Sequence, residues 1–276
     1  MSESKSGKKN TVLRIIGGSD VNGVDYPYIV KIEYQIIIDG QSNVAMTDIF
    51  CTGAVLAPTW TLTAGHCLEL EKTKTDGFSM KIYIRYGTLE NNSVSNLIFS
   101  VQHPAYRQTL YNLNNDIALL KTEKISLTQY ARVSALDFTT MAGQEVILTG
   151  FGLTNTTNGK VGIASSVNKP LQLLRVVIVH CNEIQENTLK PAMCLARRCG
   201  MSSGLCPGDS GGPMIHASGI VGVNSIGPYE LAAFCTMKPT DPVYDTAGVT
   251  PTSPFVDWIT VTTKDVDVPV VNKFHQ

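Results

Sequence analysis

The sequence is poor in charged residues and has no excess of either sign. Asp, Glu, Lys and Arg make up only 16% of its 276 residues, against about a quarter in ordinary soluble proteins. The 22 basic residues nearly balance the 23 acidic ones, which leaves a net charge of −1. A chain without a basic excess lacks the field that condenses proteins on nucleic acid or on an anionic membrane. We therefore expect neither nucleic acid nor membrane among its partners.

Long apolar runs and heptad repeats are also missing. No stretch approaches the roughly 18 consecutive apolar residues of a membrane span, and no heptad pattern recurs, which excludes a coiled coil. Residues 1–10 are polar and basic and no apolar h-region follows them, so this chain shows no signal-peptide pattern. Hydrophobic residues still make up 43% of the chain, enough for a sizeable core.

The seven cysteines include no CxxC pair. Cys194, Cys199 and Cys206 are separated by four and then six residues, a spacing that does not complete a zinc site, so no metal is expected. Six cysteines can instead pair as disulfides and one is left over. Disulfides form in oxidising compartments, and this argument outweighs the missing signal-peptide pattern. We expect a secreted, extracellular protein.

Short β-type runs separated by Gly, Pro and Asn fill most of the chain. The clearest are residues 28–34, 81–86, 145–149, 171–179 and 219–223. Residues 81–86 roughly alternate polar and apolar side chains, as a half-buried strand does. The pattern predicts an all-β protein, built as an antiparallel barrel or sandwich.

One helix is predicted, near the C-terminal end. Ser253 can serve as its N-cap and Pro254 suits its first turn. Phe255, Trp258 and Ile259 then fall on one helical face, at spacings of i, i+3 and i+4.

The most specific stretch for chemistry is residues 206–213, CPGDSGGP. Its glycines give Ser210 a backbone freedom that bulkier neighbours would deny it. The amides of Gly208 and Ser210 could point into one hollow and bind an oxyanion. A glycine-rich surface turn alone would also explain this stretch.

Two further stretches supply a histidine and a carboxylate. His66 lies in LTAGHC, beside a cysteine and among small residues, and Asp116 lies in NNDIALL, directly before an apolar run. A buried carboxylate needs a partner, and a histidine N–H would serve. The order His66, Asp116, Ser210 is one of the few in which catalytic triads occur.

Four motifs together resemble the signature elements of the chymotrypsin/trypsin family. They are IIGG at 15–18, TAGHC at 63–67, NDIALL at 115–120 and GDSGGP at 208–213. They follow the family's order, and the resemblance covers residues 15–262. It implies two antiparallel six-stranded β-barrels packed together, with a C-terminal α-helix.

The resemblance implies a serine endopeptidase mechanism. Ser210 would attack the scissile carbonyl, and His66 would take the serine proton and return it to the leaving amine. Asp116 would hold the histidine tautomer and stabilise the imidazolium. The amides of Gly208 and Ser210 would bind the oxyanion, and Ser225 matches a serine that orients the buried aspartate.

The resemblance also implies activation by cleavage. Arg14 before Ile15 resembles a zymogen cleavage site, and the freed amino group of Ile15 would pair with Asp209. The expected organisation is a leader or activation peptide over residues 1–14, a protease domain over 15–262 and a C-terminal tail over 263–276.

Three disulfides follow from the same resemblance. They would join Cys51 to Cys67, Cys181 to Cys194 and Cys206 to Cys235. Cys199 has no family partner and stays unexplained.

The implied specificity pocket carries no charge. Gly204 stands at the position that sets charge at its floor, and Leu205 follows, so a Lys or Arg side chain would find no counter-ion. A deep pocket would be chymotrypsin-like and accept large apolar groups, with Gly227 adding no bulk at the rim. If Leu205 projects inward, the pocket would be shorter and elastase-like. Either Ala247 or Gly248 fits the wall position.

Several positions depart from the family pattern. Thr52 stands where the family usually has Gly and would narrow the leaving-group side. Gly65 stands where Ala is commoner, a change expected to matter little. Ile226 replaces a usual Trp of the substrate platform, and residues 228–234 lengthen the rim loop.

The expected protein is a secreted, monomeric serine endopeptidase made as a zymogen and needing no cofactor. Its partners would be protein or peptide substrates and protein protease inhibitors. The alternative is a catalytically weak or inactive homologue that acts as a binding or regulatory protein, which the altered Ile226 and rim loop leave open. Asn91 and Asn155 begin N-glycosylation sequons.

Overall fold

A computed structural model describes most of the chain, and strands dominate it. The described residues are 19–21, 24–38, 44–69, 77–109, 112–152, 170–196, 205, 208–226, 247–265, 268 and 270–271. Within these ranges no helix has both the length and the apolar character needed to cross a membrane.

Eighteen strands lie in the described residues. In chain order they are β1 (Ser19–Val21), β2 (Ile29–Ile38), β3 (Val44–Ala57), β4 (Trp60–Thr63), β5 (Phe78–Gly87), β6 (Asn92–Gln102), β7 (Arg107–Gln108), β8 (Leu113–Asn114), β9 (Ala118–Thr122), β10 (Val133–Ser134), β11 (Glu145–Gly150), β12 (Leu171–Val179), β13 (Leu189–Lys190), β14 (Met193–Ala196), β15 (Pro213–His216), β16 (Gly219–Ile226), β17 (Ala247–Pro251) and β18 (Val270–Val271).

Helical segments are short. Two α-helices lie in the described residues, α1 (Glu183–Thr188) and α2 (Val256–Thr262). Three 3₁₀ turns accompany them, η1 (Gly65–Leu68), η2 (Phe138–Thr140) and η3 (Ser253–Phe255).

The first barrel closes from six strands in the order β2-β3-β4-β9-β6-β5. Antiparallel pairing of β5 with β2, from Lys31 opposite Arg85 to Ile38 opposite Phe78, completes the ring. Inward-facing side chains fill the interior, as alternation along a strand requires. Ile32, Leu62 and Ile84 are at most 1% exposed.

The second barrel closes in the order β11-β12-β14-β17-β16-β15, through the pairing of β15 with β16. Its core is a separate cluster of buried apolar residues that includes Val146, Leu174, Met214 and Val249. The strand β1 pairs with β12, and β10 and β18 extend the sheet beyond β16.

This architecture confirms the predicted fold of two six-stranded antiparallel barrels with a C-terminal helix. The five predicted strands all coincide with observed ones, and β12 has the predicted bounds. The predicted cap is wrong: Thr252 is the N-cap of η3, and the Ser253 hydroxyl instead accepts a hydrogen bond from the Phe138 amide at 3.3 Å. Pro254 does lie in the first turn.

The segment after α2 is attached to both barrels. The Asp265 carboxylate accepts a hydrogen bond at 2.7 Å from the Trp60 indole of the first barrel and pairs with the Lys121 ammonium. Farther on, β18 runs parallel to β10 at the edge of the second barrel's sheet.

Candidate active site

His66 is presented by a single turn at the end of a buried strand. All four residues of β4 are buried, and the chain then turns through η1, in which His66 lies. The disulfide between Cys51 and Cys67 ties this turn to β3. With its neighbours buried, the His66 side chain stays 23% exposed, so its ring reaches the surface from a fixed backbone.

Asp116 lies against His66 and is completely buried. One carboxylate oxygen accepts the His66 amide at 2.7 Å, and the other lies 2.8 Å from His66 Nδ1. The Ser225 hydroxyl donates to that second oxygen. A buried carboxylate is stable only with such partners. Because the carboxylate is an acceptor, this pairing keeps the proton of a neutral imidazole on Nδ1 and leaves Nε2 as the basic atom.

The turn before Asp116 depends on Asn115. Asn115 has φ of +51°, the left-handed region that Asn tolerates better than most residues. Its amide donates to the Lys190 carbonyl at 2.6 Å and its side chain donates to the Ala105 carbonyl at 2.8 Å. These bonds fix where the chain enters β9 and so where the Asp116 carboxylate points.

The two ionisable groups perturb each other. Burial raises the pKa of Asp116, but the charge and hydrogen bonds of His66, with the Ser225 hydroxyl, outweigh it and hold this pKa below its usual range. Burial lowers the pKa of His66, but the charge and hydrogen bond of Asp116, with the charge of Glu69, outweigh it and raise that pKa above 6.5. The pair therefore favours a carboxylate beside an imidazole that readily accepts a proton.

Ser210 lies on a tight turn packed against the first barrel. Gly208 and Gly211 have φ of +97° and +80°, which only glycine adopts easily. The Ser210 carbonyl accepts a hydrogen bond from the Thr52 amide on β3 at 2.7 Å. A side chain at Gly211 would overlap Thr63 and Thr52 and come within 3.1 Å of the Ala64 amide, two residues before His66.

Two amides of this turn, those of Gly208 and Ser210, are open. Within the described part of the chain, neither the Gly208 nor the Ser210 amide donates a hydrogen bond, although Gly208 is buried. Within the same ranges the Ser210 hydroxyl makes no hydrogen bond with His66. The His66 ring is instead bonded to Asp116. In enzymes without bound substrate, hydrogen bonds between catalytic groups are often long and shorten only when substrate binds.

Asp209 belongs to this turn and is completely buried, with its side chain directed under the turn. Its carboxylate accepts the Gly152 amide at 2.8 Å, and it packs so closely on Gly150 and Gly152 that neither could carry a side chain. The side-chain amide of Asn224 donates to the Asp209 carbonyl at 3.2 Å. The turn is thus held from below by β16 and by the segment after β11.

The pocket residues are only partly described. Leu205 is 7% exposed and belongs to the hydrophobic core of the second barrel. Ile226 ends β16, and Gly248 pairs with it on β17. The other predicted pocket and activation residues lie outside the described residues: Gly204, Gly227, Arg14 and Ile15.

Of the predicted disulfides, Cys51–Cys67 and Cys181–Cys194 are formed. Cys206, Cys235 and Cys199 lie outside the described residues, as does Asn155, whereas Asn91 is exposed. Within the described ranges, one group of potential metal ligands lies close together, namely His66 with Cys51 and Cys67. Because both sulfurs belong to a disulfide, they are not thiolates and the cluster is no metal site.

Two departures from the family pattern prove more consequential than the sequence suggested. The Thr52 side chain does not narrow the leaving-group side: it is completely buried and its hydroxyl donates to the Gly208 carbonyl at 2.8 Å. Gly65 is tightly enclosed, since a Cβ there would lie 2.7 Å from the Tyr106 ring and 3.2 Å from the Asp116 carboxylate. The contacts of Thr52 and of Gly65 are with residues distant in sequence, so no local motif predicts them.

The chain is similar to known proteins along most of its length. A family profile described as Trypsin matches residues 15–259. The chain is 31% identical to a trypsin of Phaedon cochleariae, over 91% of this chain and 88% of that protein. It is 27% identical to human granzyme M, over 89% of this chain and 88% of that one.

Solved structures show the same fold. A collagenase solved at 1.7 Å superimposes with a TM-score of 0.64 at 20% identity, over 91% of this chain and 99% of the collagenase. Mouse neuropsin, a serine protease, gives 0.62 at 19% identity, over 89% and 98% of the two chains. Matched along nearly its whole barrel region, this chain belongs to the trypsin family of serine endopeptidases.

Proposed function

We propose that the protein is a secreted endopeptidase that hydrolyses peptide bonds with His66, Asp116 and Ser210. The observation that carries the proposal is the buried Asp116 carboxylate 2.8 Å from His66 Nδ1, which leaves Nε2 as a base at the surface. Family membership alone would not supply it, because a fold can persist without its activity.

The chemistry follows from these groups. Ser210 Oγ bonds to the substrate carbonyl carbon while His66 Nε2 takes the hydroxyl proton. His66 returns that proton to the leaving amine as the C–N bond breaks, which leaves an acyl ester on Ser210. Water then attacks the ester with His66 as base, and the Ser210 oxygen recovers a proton as the acid product leaves.

Each addition step forms a negatively charged oxygen, which hydrogen-bond donors must stabilise. The open amides of Gly208 and Ser210 support their role as the oxyanion hole. Donors fixed before reaction stabilise developing charge without reorganisation, and losing one such donor typically costs about 100- to 1,000-fold in kcat.

We propose an uncharged primary specificity pocket. Burying a Lys or Arg side chain without a counter-ion costs roughly several kcal/mol, whereas a Phe or Leu side chain gains about 1.5–3 kcal/mol on full burial. Burial of Leu205 in the barrel core supports a pocket that this side chain does not shorten. We expect peptides with Phe before the cut to be hydrolysed faster than the same peptides with Arg; the reverse order would overturn the uncharged pocket.

We also propose secretion as a zymogen cut after Arg14. The two disulfides support an oxidising compartment. The burial of Asp209 beneath the catalytic turn supports its pairing with the new amino group of Ile15.

The test combines labelling with mutation. The protein, cut with a trypsin-like protease, is exposed to a serine-reactive peptidyl phosphonate, and we expect stoichiometric labelling and turnover of apolar peptides. Ser210→Ala should abolish labelling and lower kcat by several orders of magnitude with unchanged circular dichroism. A cut wild type that neither labels nor turns over substrate would favour the non-catalytic homologue.

A further inference from the structure

Thr52 joins four segments of the molecule through its own hydrogen bonds. Its amide donates to the Ser210 carbonyl at 2.7 Å, and its carbonyl accepts the Thr63 hydroxyl at 2.9 Å. Its hydroxyl donates to the Gly208 carbonyl at 2.8 Å and accepts the Phe151 amide at 3.2 Å. All of these bonds are inside the protein, since Thr52 is completely buried.

The hydroxyl bond acts on the loop that carries the open amides. A carbonyl held toward Thr52 fixes the plane of the peptide bond between Gly208 and Asp209, because peptide groups are planar. Gly208 itself has a left-handed backbone and lies against Gly152, where an added Cβ would be 2.9 Å from the Gly152 Cα. The hydrogen bond holds the peptide plane that follows Gly208. The left-handed backbone of Gly208 and its close packing on Gly152 then restrict the rotation that relates this plane to the Gly208 amide.

The same hydroxyl couples this loop to the segment after β11. Phe151 donates to Thr52, and the next amide, of Gly152, donates to the Asp209 carboxylate. The Phe151 amide therefore acts on Gly208 through the Thr52 hydroxyl, while the next amide, of Gly152, binds Asp209 directly. A glycine at position 52, usual in the family, could supply no side-chain partner for either the Gly208 carbonyl or the Phe151 amide.

We propose that Thr52 is a positioning residue that uses its hydroxyl to hold the Gly208 amide in oxyanion-binding orientation. The proposal rests on the proposed endopeptidase function. Thr52 does not contact the reacting atoms, so its removal should act through Gly208. Its contribution should appear in the transition state, where the oxyanion exists, more than in substrate binding.

The decisive variant is Thr52→Val, which keeps the side-chain shape and removes the hydroxyl. Because the effect reaches the oxyanion through Gly208, we expect a smaller loss than that from deleting a donor, about tenfold in kcat with KM within about twofold. Affinity for a peptide boronic acid, which forms a tetrahedral adduct on a catalytic serine, should fall by a similar factor. Thr52→Ser restores the hydroxyl and should recover most of the kcat.

Thr252→Val is the matched control. Thr252 is equally buried and its hydroxyl also donates to a backbone carbonyl, that of Ile220, at 2.9 Å. It should lose thermal stability as Thr52→Val does but keep its kcat. A Thr52→Val protein with wild-type kcat and boronate affinity would overturn the positioning role, and so would an equal kcat loss in both variants. A wild type without turnover would instead overturn the endopeptidase function, and with it the role of Thr52.

Discussion

The orientation of individual side chains at this site is set by their hydrogen-bond partners. Asp116 is buried with three donors, and Thr52 is buried with every polar atom in use. An unpaired buried polar atom costs about 1–3 kcal/mol, so these bonds fix the orientation of each group. We expect reactivity to depend on His66 Nε2, which lies 4.0 Å from the Cys67 sulfur, and on the Gly208 and Ser210 amides, which donate no hydrogen bond within the described ranges.

We expect the ionisation of His66 to set the acid limit of activity. Burial lowers its pKa, but the Asp116 charge and hydrogen bond and the Glu69 charge raise it above 6.5. Only the neutral ring can take the serine proton, so kcat/KM should fall as pH drops through a value above 6.5. Glu69→Gln removes one contribution that raises the pKa, so it should move this limit to lower pH. A pH profile of kcat/KM measures both; a wild-type midpoint below 6.5 would contradict the electrostatic account.

Gly65 has no room for a side chain. Alanine there would place Cβ 2.7 Å from the Tyr106 ring and 3.2 Å from the Asp116 carboxylate. We expect Gly65→Ala to lower the free energy of unfolding by about 1–3 kcal/mol, as overpacking does. Urea denaturation measures the loss. Combined with Tyr106→Leu, which removes the ring, Gly65→Ala should cost less than the sum of the single changes; strict additivity would show that the two residues do not collide.

Strands were more predictable than the turns between them. The apolar run of β12 and the alternation within β5 follow from local sequence, and the four family motifs place both barrels. The helix α1 escaped prediction although Asn182 and Gln185 form a capping box, because its six residues carry no apolar repeat. The bond from Thr52 to Gly208 spans 156 positions, and no local pattern encodes a contact of that separation.

The first disulfide attaches the His66 turn to β3, and we expect it to support catalysis in a way that the second does not. The two bridges close similar loops, with sequence separations of 16 and 13. Replacing either pair by alanine should therefore cost a similar amount, about 3 kcal/mol of unfolding free energy in the chain-entropy model. Only the Cys51→Ala/Cys67→Ala protein should also lose kcat, because η1 then holds His66 less firmly. Urea titration and turnover below the transition measure the two effects; equal kcat losses in both proteins would exclude a specific role for the first bridge.

The proposed catalytic groups come from both barrels. His66 and Asp116 come from the first barrel, whereas Ser210 and Ser225 come from the second. The Asp116 carboxylate is bonded to residues of both. The geometry of the site therefore depends on the contact between the two barrels. We expect a rearrangement of the turn that carries Ser210 to change the activity.

We expect cleavage after Arg14 to reorder the turn that carries Ser210 and so to activate the protein. The freed Ile15 ammonium would pair with the buried Asp209 carboxylate, which lies directly before Ser210 and against the Gly152 amide. Arg14→Gln should therefore resist a trypsin-like activator and remain unreactive toward the phosphonate. N-terminal sequencing and labelling of the same samples measure cleavage and activity separately.

A second variant separates cutting from its structural consequence. Asp209→Asn keeps an oxygen for the Gly152 amide but removes the charge that would hold the Ile15 ammonium. It should be cut at Arg14 as fast as the wild type and yet gain little activity, since a buried ammonium without a counter-ion is costly. Full phosphonate labelling of the uncut Arg14→Gln chain, or of the cut Asp209→Asn protein, would refute activation through this ion pair.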